Sequence, residues 1–267
     1  VGVGAGADDE GHGTILRHAG SMVSDGPWIQ LFIDVPREGW ERSVDFWTAA
    51  TGWAASEPRG EGGQFVTLVP ADGPGWVKLQ AVDGPPRLHL DLDDPARAGA
   101  TRRSVGLGAR PQWEYEGVPV MRSPGGLFLC HTVEAPGRID RGDPLRVLDQ
   151  VCIDIPARLW ESETAFWAEL LQRPLTKGRE PEFAFLDGGA ALRVLLQRLD
   201  DESGEVRAHP DFAVADRAEE TRRHVALGAE VEGVFPWWTV LRAPDGHVYC
   251  LTERDPATGR VRRAPSS

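Results

Sequence analysis

The most constraining feature of this sequence is an internal repeat with an offset of 120 residues. The stretch QLFIDVP at 30–36 returns as QVCIDIP at 150–156, and TRRSVGLGA at 101–109 returns as TRRHVALGA at 221–229. Aligned without a gap, the copies share 31 identical pairs over the 107 positions 28–134. Unrelated sequences of ordinary composition would share roughly one position in sixteen. The chain is therefore a tandem duplication.

The repeat divides the chain into five segments. We expect a disordered leader at 1–26, a first domain at 27–134, a linker at 135–146, a second domain at 147–255 and a loose tail at 256–267. The leader is Gly-rich and lacks the basic and apolar segments of a secretory signal. The functional chain begins either at Val1 or at Met22, and the sequence leaves this choice open.

Composition excludes several classes of partner. The chain carries 29 Lys and Arg against 41 Asp and Glu, a formal charge of −12, which repels nucleic acid and anionic lipid. The apolar runs are far shorter than the roughly 20 residues that a membrane span needs. Three cysteines do not form a disulfide framework, and an odd number suits a reducing compartment. We expect a cytoplasmic protein that binds a small molecule and, because the duplication supplies an intrachain domain pair, a monomer.

Each copy shows the same order of local patterns. A strand pattern, WIQLFIDVP, precedes a helical pattern that ends at Gly52, and QFVTLVP and WVKLQAV then read as strands. RLHLDL begins a second round, with a helix between Asp94 and Gly108 and further strands in WEYEGVPVMR and GLFLCHTV. Each copy is thus a pair of βαβββ units, and the fold class is α+β.

These patterns resemble the vicinal oxygen chelate superfamily, which includes glyoxalase I, bleomycin-binding resistance proteins and extradiol dioxygenases. The resemblance rests on the opening strand QLFIDVP, the helix ERSVDFW, the LGA that closes the second helix and the closing hairpin LRAPDGHVYC. It covers most of residues 28–254. It implies that each copy folds into a curved, half-open barrel whose concave face holds a ligand.

The resemblance also implies a divalent metal site in each copy. The family's ligand positions fall on Gln30, His89 and Cys130 in the first copy and on Gln150, His209 and Cys250 in the second. Cysteine replaces the family's glutamate in both copies. An oxygen, nitrogen and sulfur donor set favours Zn²⁺ over Mg²⁺. The opening-strand ligand comes from the same domain or from the other one, and both arrangements stay open.

The same residues have a structural interpretation. A histidine beside Asp and Arg on a half-buried strand is often a hydrogen-bonded structural residue, and free cysteine often packs as a small hydrophobe. Aromatic residues on the later strands are candidates for substrate contact because they differ between the copies. They are Trp113, Tyr115, Phe235, Trp237 and Trp238.

Two functional hypotheses follow. In the first, the protein is a lyase, isomerase or dioxygenase in which a metal at His89 or His209 polarises a substrate oxygen and an aspartate moves a proton. The candidate aspartates are Asp34, Asp91, Asp154 and Asp211. In the second, the protein is metal-free and binds a hydrophobic aromatic small molecule, which it sequesters or carries as the antibiotic-binding members of the superfamily do. A further alternative is that one copy keeps the site and the other has become a structural partner.

Overall fold

The computed structural model describes residues 26–133, 143–188 and 192–262. The expected leader, up to residue 25, and the expected linker at 135–142 lie outside the described residues, as does the end of the tail at 263–267.

Domain 1 comprises two successive βαβββ units. The first unit contains β1 (Trp28–Pro36), α1 (Trp40–Thr51), β2 (Ala54–Ala55), β3 (Phe65–Val69) and β4 (Val77–Val82). The second contains β5 (Arg87–Asp93), α2 (Arg97–Gly106), β6 (Arg110–Tyr115), β7 (Val118–Arg122) and β8 (Phe128–Thr132).

Domain 2 repeats the arrangement. Its first unit contains β9 (Arg146–Pro156), α3 (Trp160–Leu171), β10 (Leu175–Lys177), β11 (Phe183–Leu186) and β12 (Arg193–Leu199), with a short 3-10 helix, Ala157–Leu159, before α3. Its second unit contains β13 (Arg207–Val214), α4 (Arg217–Ala226), β14 (Glu230–Val234), β15 (Trp238–Arg242) and β16 (Val248–Thr252).

The two domains have the same sheet topology. The strand order is β2-β3-β4-β1-β5-β8-β7-β6 in domain 1 and β10-β11-β12-β9-β13-β16-β15-β14 in domain 2. In each sheet the opening strand runs parallel to one neighbour and antiparallel to the other. Both eight-stranded sheets are open at their edges rather than closed into barrels. The predicted α+β fold with duplicated βαβββ pairs is confirmed.

Local sequence signals explain where the helices begin and end. Helix α1 stops at Gly52, whose φ of 73° is left-handed and whose N–H donates to the carbonyl of Thr48. Helix α4 begins after Asp216, whose side chain accepts a hydrogen bond from the Glu219 N–H at 2.9 Å. The stretch WEYEGVPVMR is a hairpin, because the chain turns at Glu116 and Gly117 with positive φ.

The constant offset of 120 residues does not hold throughout the repeat. Phe65 pairs with Gln80 on β3 and β4, and Phe183 pairs with Gln197 at the equivalent place on β11 and β12. These strands therefore correspond at offsets of 118 and 117 residues. The ungapped alignment is wrong for these strands because the loops before them differ in length.

The two domains pack against each other through one continuous hydrophobic core. The buried Trp76 indole donates to the carbonyl of Leu148 in domain 2 at 3.0 Å. None of the described helices has both the length and the apolar character that crossing a membrane would require.

Each domain's closing turn docks on the first helix of the other domain. Trp47 on α1 donates to Asp245 at 2.8 Å, and Glu163 on α3 accepts from the Gly125 N–H and from Trp167. The reciprocal contacts fix one concave sheet face relative to the other.

Candidate functional site

Each sheet has a cleft on its concave face, formed by alternate residues of its central strands. Cleft 1 in domain 1 is lined by Phe32 and Asp34 from β1, by His89 and Asp91 from β5 and by Cys130 from β8, among others, and has a volume of about 320 Å³. Alternation along a strand explains why residues two apart reach the same cleft.

Cleft 2 occupies the equivalent place in domain 2. It is lined by Gln150 and Cys152 from β9, by His209 and Asp211 from β13 and by Cys250 from β16, among others, and has a volume of about 580 Å³. The histidine, the following aspartate and the closing-strand cysteine are thus brought together in both domains, as the repeat predicts.

In cleft 1 a buried histidine lies between two carboxylates. His89 Nδ1 is 2.9 Å from Asp34 Oδ1, and His89 Nε2 is 3.5 Å from Asp91 Oδ1. Although burial opposes a charge, Asp34 and Asp91 raise the pKa of His89 above its usual value. Arg87 also binds Asp34, at 2.8 Å. The two carboxylates therefore favour the protonated form of the ring.

Cleft 2 repeats this arrangement with a stronger effect. His209 Nδ1 is 2.9 Å from Asp154 Oδ2, and His209 Nε2 is 3.3 Å from Asp211 Oδ1. Burial again opposes a charge, yet the carboxylate of Asp154 raises the pKa of His209 well above its usual value. The duplication has therefore preserved a carboxylate–histidine–carboxylate unit in both domains.

A metal ion would find three donors of different kinds in each cleft. The ligand atoms of His89, Asp91 and Cys130 all lie within 4.8 Å of one another in cleft 1. Asp91 Oδ1 is buried and accepts no hydrogen bond, and Asp34 holds the far side of the His89 ring, as carboxylates do behind metal-bound histidines. The donor set fits a borderline-soft ion such as Zn²⁺.

In cleft 2 the corresponding group is Cys152, His209 and Asp211, again within 4.8 Å of one another. Asp211 Oδ1 and Gln150 Oε1 are buried and accept no hydrogen bond. Cys250 lines the cleft but is not part of this group among the described residues. The metal group that the structure brings together in domain 2 therefore contains a cysteine of the opening strand.

The cysteine thiol of each donor group is protonated before a metal binds. Burial raises the pKa of the Cys130 and Cys152 thiols, and it raises the pKa of Cys250 to about 11. A metal would have to displace the thiol proton, so its affinity would increase with pH.

The two predicted glutamine ligands are placed differently. Gln150 lines cleft 2 and donates its amide N–H to Asp211 Oδ2 at 2.6 Å. Gln30 donates to Asp93 Oδ2 at 2.5 Å and does not line cleft 1. Gln150 thus orients Asp211, which belongs to the donor group. Gln30 instead orients Asp93, which lies two residues after Asp91 on β5 and is outside the donor group.

Aromatic side chains form the walls of both clefts. Trp113 and Tyr115 line cleft 1, where the Phe32 ring also stacks on His89 with centroids 4.5 Å apart. Trp237 and Trp238 line cleft 2. Four of the five predicted contact residues therefore reach a cleft. The fifth, Phe235, stacks on Trp238 at 5.0 Å rather than lining the cavity.

Several lining residues had not been singled out from the sequence. Phe183 and Phe185 line cleft 2 from β11, and only the structural alignment of β3 with β11 reveals their place. Cys152 stands at the repeat position of Phe32, two residues after Gln150. The alternation of β9 was the available signal for it, since it places Gln150 and Cys152 on one face.

Comparison with known proteins places this architecture. The model of the family described as "Glyoxalase-like domain" matches residues 30–132 and again residues 150–252. A search of curated proteins found no match for the chain.

Solved structures share the fold at low identity. One is 2,2',3-trihydroxybiphenyl 1,2-dioxygenase from Sphingomonas wittichii strain RW1, with a TM-score of 0.58 at 14% identity, covering 85% of this chain and 90% of that one. Another is homoprotocatechuate 2,3-dioxygenase from Arthrobacter globiformis, with a TM-score of 0.59 at 16% identity, covering 85% and 80%. A third is a xylose isomerase-like TIM barrel/4-hydroxyphenylpyruvate dioxygenase fusion protein, with a TM-score of 0.58 at 14% identity; the match covers 91% of this chain but only 49% of that one.

Proposed function

The chain belongs to the glyoxalase-like domain family of the vicinal oxygen chelate superfamily, and on this premise we propose that it binds a hydrophobic aromatic small molecule in cleft 2. The observation that carries the proposal is the aromatic wall around a cavity of about 580 Å³, a size typical of small-molecule sites.

The walls of cleft 2 suit a flat apolar ligand. Phe183 meets Trp238 edge to face at 5.9 Å, and Phe235 stacks on Trp238 at 5.0 Å. Phe185 and Leu195 add further apolar surface. The floor, in contrast, is polar: Gln150 Oε1 accepts no hydrogen bond, and Asp211 Oδ1 faces the His209 ring. A ligand with an apolar ring and a hydroxyl group would satisfy both parts of the cleft.

A fluorescence titration with N-phenyl-1-naphthylamine tests this proposal. This neutral aromatic probe becomes bright in apolar surroundings. We expect one equivalent to bind per chain, and Trp238→Ala to weaken binding about tenfold, equivalent to ~1.4 kcal/mol.

The duplication supplies the matched control. Trp113→Ala removes an indole from cleft 1 and should leave the affinity unchanged. Equal losses in the two variants, or no binding to the unaltered protein, would overturn the proposal.

A second candidate function is a metal-assisted enzyme of the lyase, isomerase or dioxygenase type. The observation that favours it is the buried nitrogen, oxygen and sulfur donor group in each cleft. His89, Asp91 and Cys130 would hold the ion in cleft 1, and Cys152, His209 and Asp211 would hold it in cleft 2. A bound ion would supply Lewis-acid polarisation of a ligand oxygen.

The protein's own residues have separate tasks in this candidate function. Asp154 fixes the His209 ring through Nδ1, Gln150 fixes Asp211 through Oδ2, and the aromatic walls exclude water from the ligand.

Metal analysis of protein purified without chelator distinguishes the two functions. The enzyme hypothesis expects close to one Zn²⁺ or similar ion per occupied cleft, together with a rise in thermal stability on adding the ion. Loss of that rise in His209→Ala, but not in the exposed control Arg222→Ala, would assign it to cleft 2. An absence of both metal and stabilisation would leave the metal-free carrier as the function.

The proposal includes a cytoplasmic monomer. Its support is that each domain already receives the other's closing turn within one chain and that all three cysteines are free and buried. Sedimentation analysis should give the mass of a single chain, and a dimer mass would contradict this part.

A further inference from the structure

Cleft 2 has a wall that lies beyond the last strand of its sheet. Glu253, Arg254, Val261 and Arg262 line the cavity, although the sequence beyond residue 255 reads as a loose tail. We name residues 253–262 the C-terminal strap. The described lining of cleft 1, by comparison, ends at Thr132 on β8.

Backbone hydrogen bonds hold the C-terminal strap in a defined shape. The Asp255 N–H donates to the Arg260 carbonyl at 2.8 Å, and Arg254 and Val261 form an isolated antiparallel bridge. The Glu253 N–H donates to the carbonyl of Trp237, itself a wall of cleft 2, at 3.0 Å. The strap is therefore a small folded loop joined to the aromatic wall.

Side chains attach both ends of the strap to domain 2. Arg262 donates to the carbonyl of Ala215 at 2.5 Å and also to that of Val214. At the other end, the buried Arg254 forms an ion pair with the buried Asp149 on β9, at 2.6 Å.

The Arg254–Asp149 pair is special to domain 2. The residue at the repeat position of Asp149 is Ile29, which is completely buried in the core of domain 1. A buried ion pair is seldom more stabilising than apolar packing of similar size. Its presence here is better explained by positioning, because it fixes the direction in which the strap leaves the sheet.

The strap presents an apolar side chain at the cleft. Val261 is 62% exposed although the backbone on either side of it is held. Resting on the proposed function, we infer that the C-terminal strap completes the ligand site of cleft 2 and that Val261 contacts the apolar ring of the bound aromatic molecule. Val261 is thus a specificity residue that selects for an apolar group at this end of the cleft.

A conservative series at Val261 tests this inference with N-phenyl-1-naphthylamine. Val261→Ser removes apolar contact without adding charge and should weaken binding about fivefold. Val261→Leu keeps an apolar surface and should retain the affinity. Because the side chain is mostly exposed, both variants should unfold at the temperature of the unaltered protein.

The matched control is Val234→Ser, at a valine that is 69% exposed on β14 and does not line cleft 2. Its affinity should stay within about twofold of the unaltered protein. If Val261→Ser binds the probe as tightly as Val234→Ser while Trp238→Ala loses it, the strap inference fails and the proposed function stands. If Trp238→Ala also binds normally, the proposed function fails together with the inference.

Hydrogen exchange gives an independent readout. Probe binding should slow amide exchange in residues 253–262, because a ligand that contacts the strap suppresses its local opening. Exchange that is unchanged in the strap but slowed around Trp238 would also overturn the inference.

Discussion

Cleft 1 holds a Phe32 ring stacked on its histidine, whereas cleft 2 has the small Cys152 at the equivalent position of the opening strand. Lys78 pairs with Phe32 across the sheet of domain 1, and Leu195 pairs with Cys152 across the sheet of domain 2. Lys78 of cleft 1 therefore corresponds to Leu195 of cleft 2. The polar floors, in contrast, match residue for residue at the histidine and its two aspartates.

The difference between the clefts lies in the walls. Gly233 on β14 occupies the position that Trp113 has on β6. Trp113 pairs with Val120, and Gly233 pairs with the equivalent Val240. The smaller side chains at these two positions are consistent with the volumes, about 580 Å³ for cleft 2 and about 320 Å³ for cleft 1. The two clefts therefore share a polar floor and differ in their walls.

We expect the largest effect from a substitution that fills cleft 2 with an aromatic ring, as Phe32 fills cleft 1. Cys152→Phe places a ring over His209, and it should weaken binding of N-phenyl-1-naphthylamine by about 100-fold, or ~2.7 kcal/mol. The titration described above measures it. The reciprocal variant Phe32→Cys should leave the affinity of cleft 2 unchanged, and undiminished binding by Cys152→Phe would place the probe elsewhere.

The two closing turns are held differently, one by Asp245 accepting from Trp47 and the other by the Gly125 N–H donating to Glu163. Glu163 is completely buried and satisfies both the Gly125 N–H and the Trp167 indole. Glu163→Ala should therefore lower the free energy of unfolding by about 2 kcal/mol, since two buried donors lose their acceptor. Denaturant unfolding measures the change. The exposed neighbour Glu161 supplies the control, whose alanine variant should stay within about 0.5 kcal/mol, and equal effects would remove Glu163 from the interface account.

The smallest expected effect is in the titration of the two cleft histidines. His209 has its pKa raised well above the usual value and His89 has its pKa raised, so imidazole NMR signals should titrate at higher pH for His209. The pairs His89–Asp34 and His209–Asp154 stabilise the fold fully below about pH 6.5, the pKa of histidine in the unfolded chain. This stability is lost as the pH rises through the pKa of each histidine in the folded protein. Asp154→Asn should lower the pKa of His209, and an unchanged titration would contradict the assigned pair.

Much of the fold was predictable because the repeat fixed equivalent positions. Alternation of apolar and polar residues predicted the strand that contains His89, and Gly52 predicted the end of the first helix. Sequence identity between the copies predicted the duplication itself. The positions of Phe183 and Phe185 were not predictable in this way. The loops before β11 and β12 differ in length from their counterparts, so only hydrogen-bond register could align these strands.

The candidate site was predictable in part. Alternation placed His89, Asp91 and Cys130 on cleft-facing positions, but it did not show that Gln30 turns to Asp93 while Gln150 turns to Asp211. Asp93 has Ala213 at its repeat position, so domain 2 has no carboxylate at that place and Gln150 binds Asp211 instead. The C-terminal strap was unpredictable because its shape depends on the Arg254–Asp149 ion pair.

The central claim is that cleft 2, and not cleft 1, is the ligand site. A crystal structure of the protein with N-phenyl-1-naphthylamine tests it most directly. The account predicts the probe's rings against Trp238 and Phe185, above His209 and beside Val261. A probe seated in cleft 1 against Trp113, with cleft 2 holding only solvent, would contradict it.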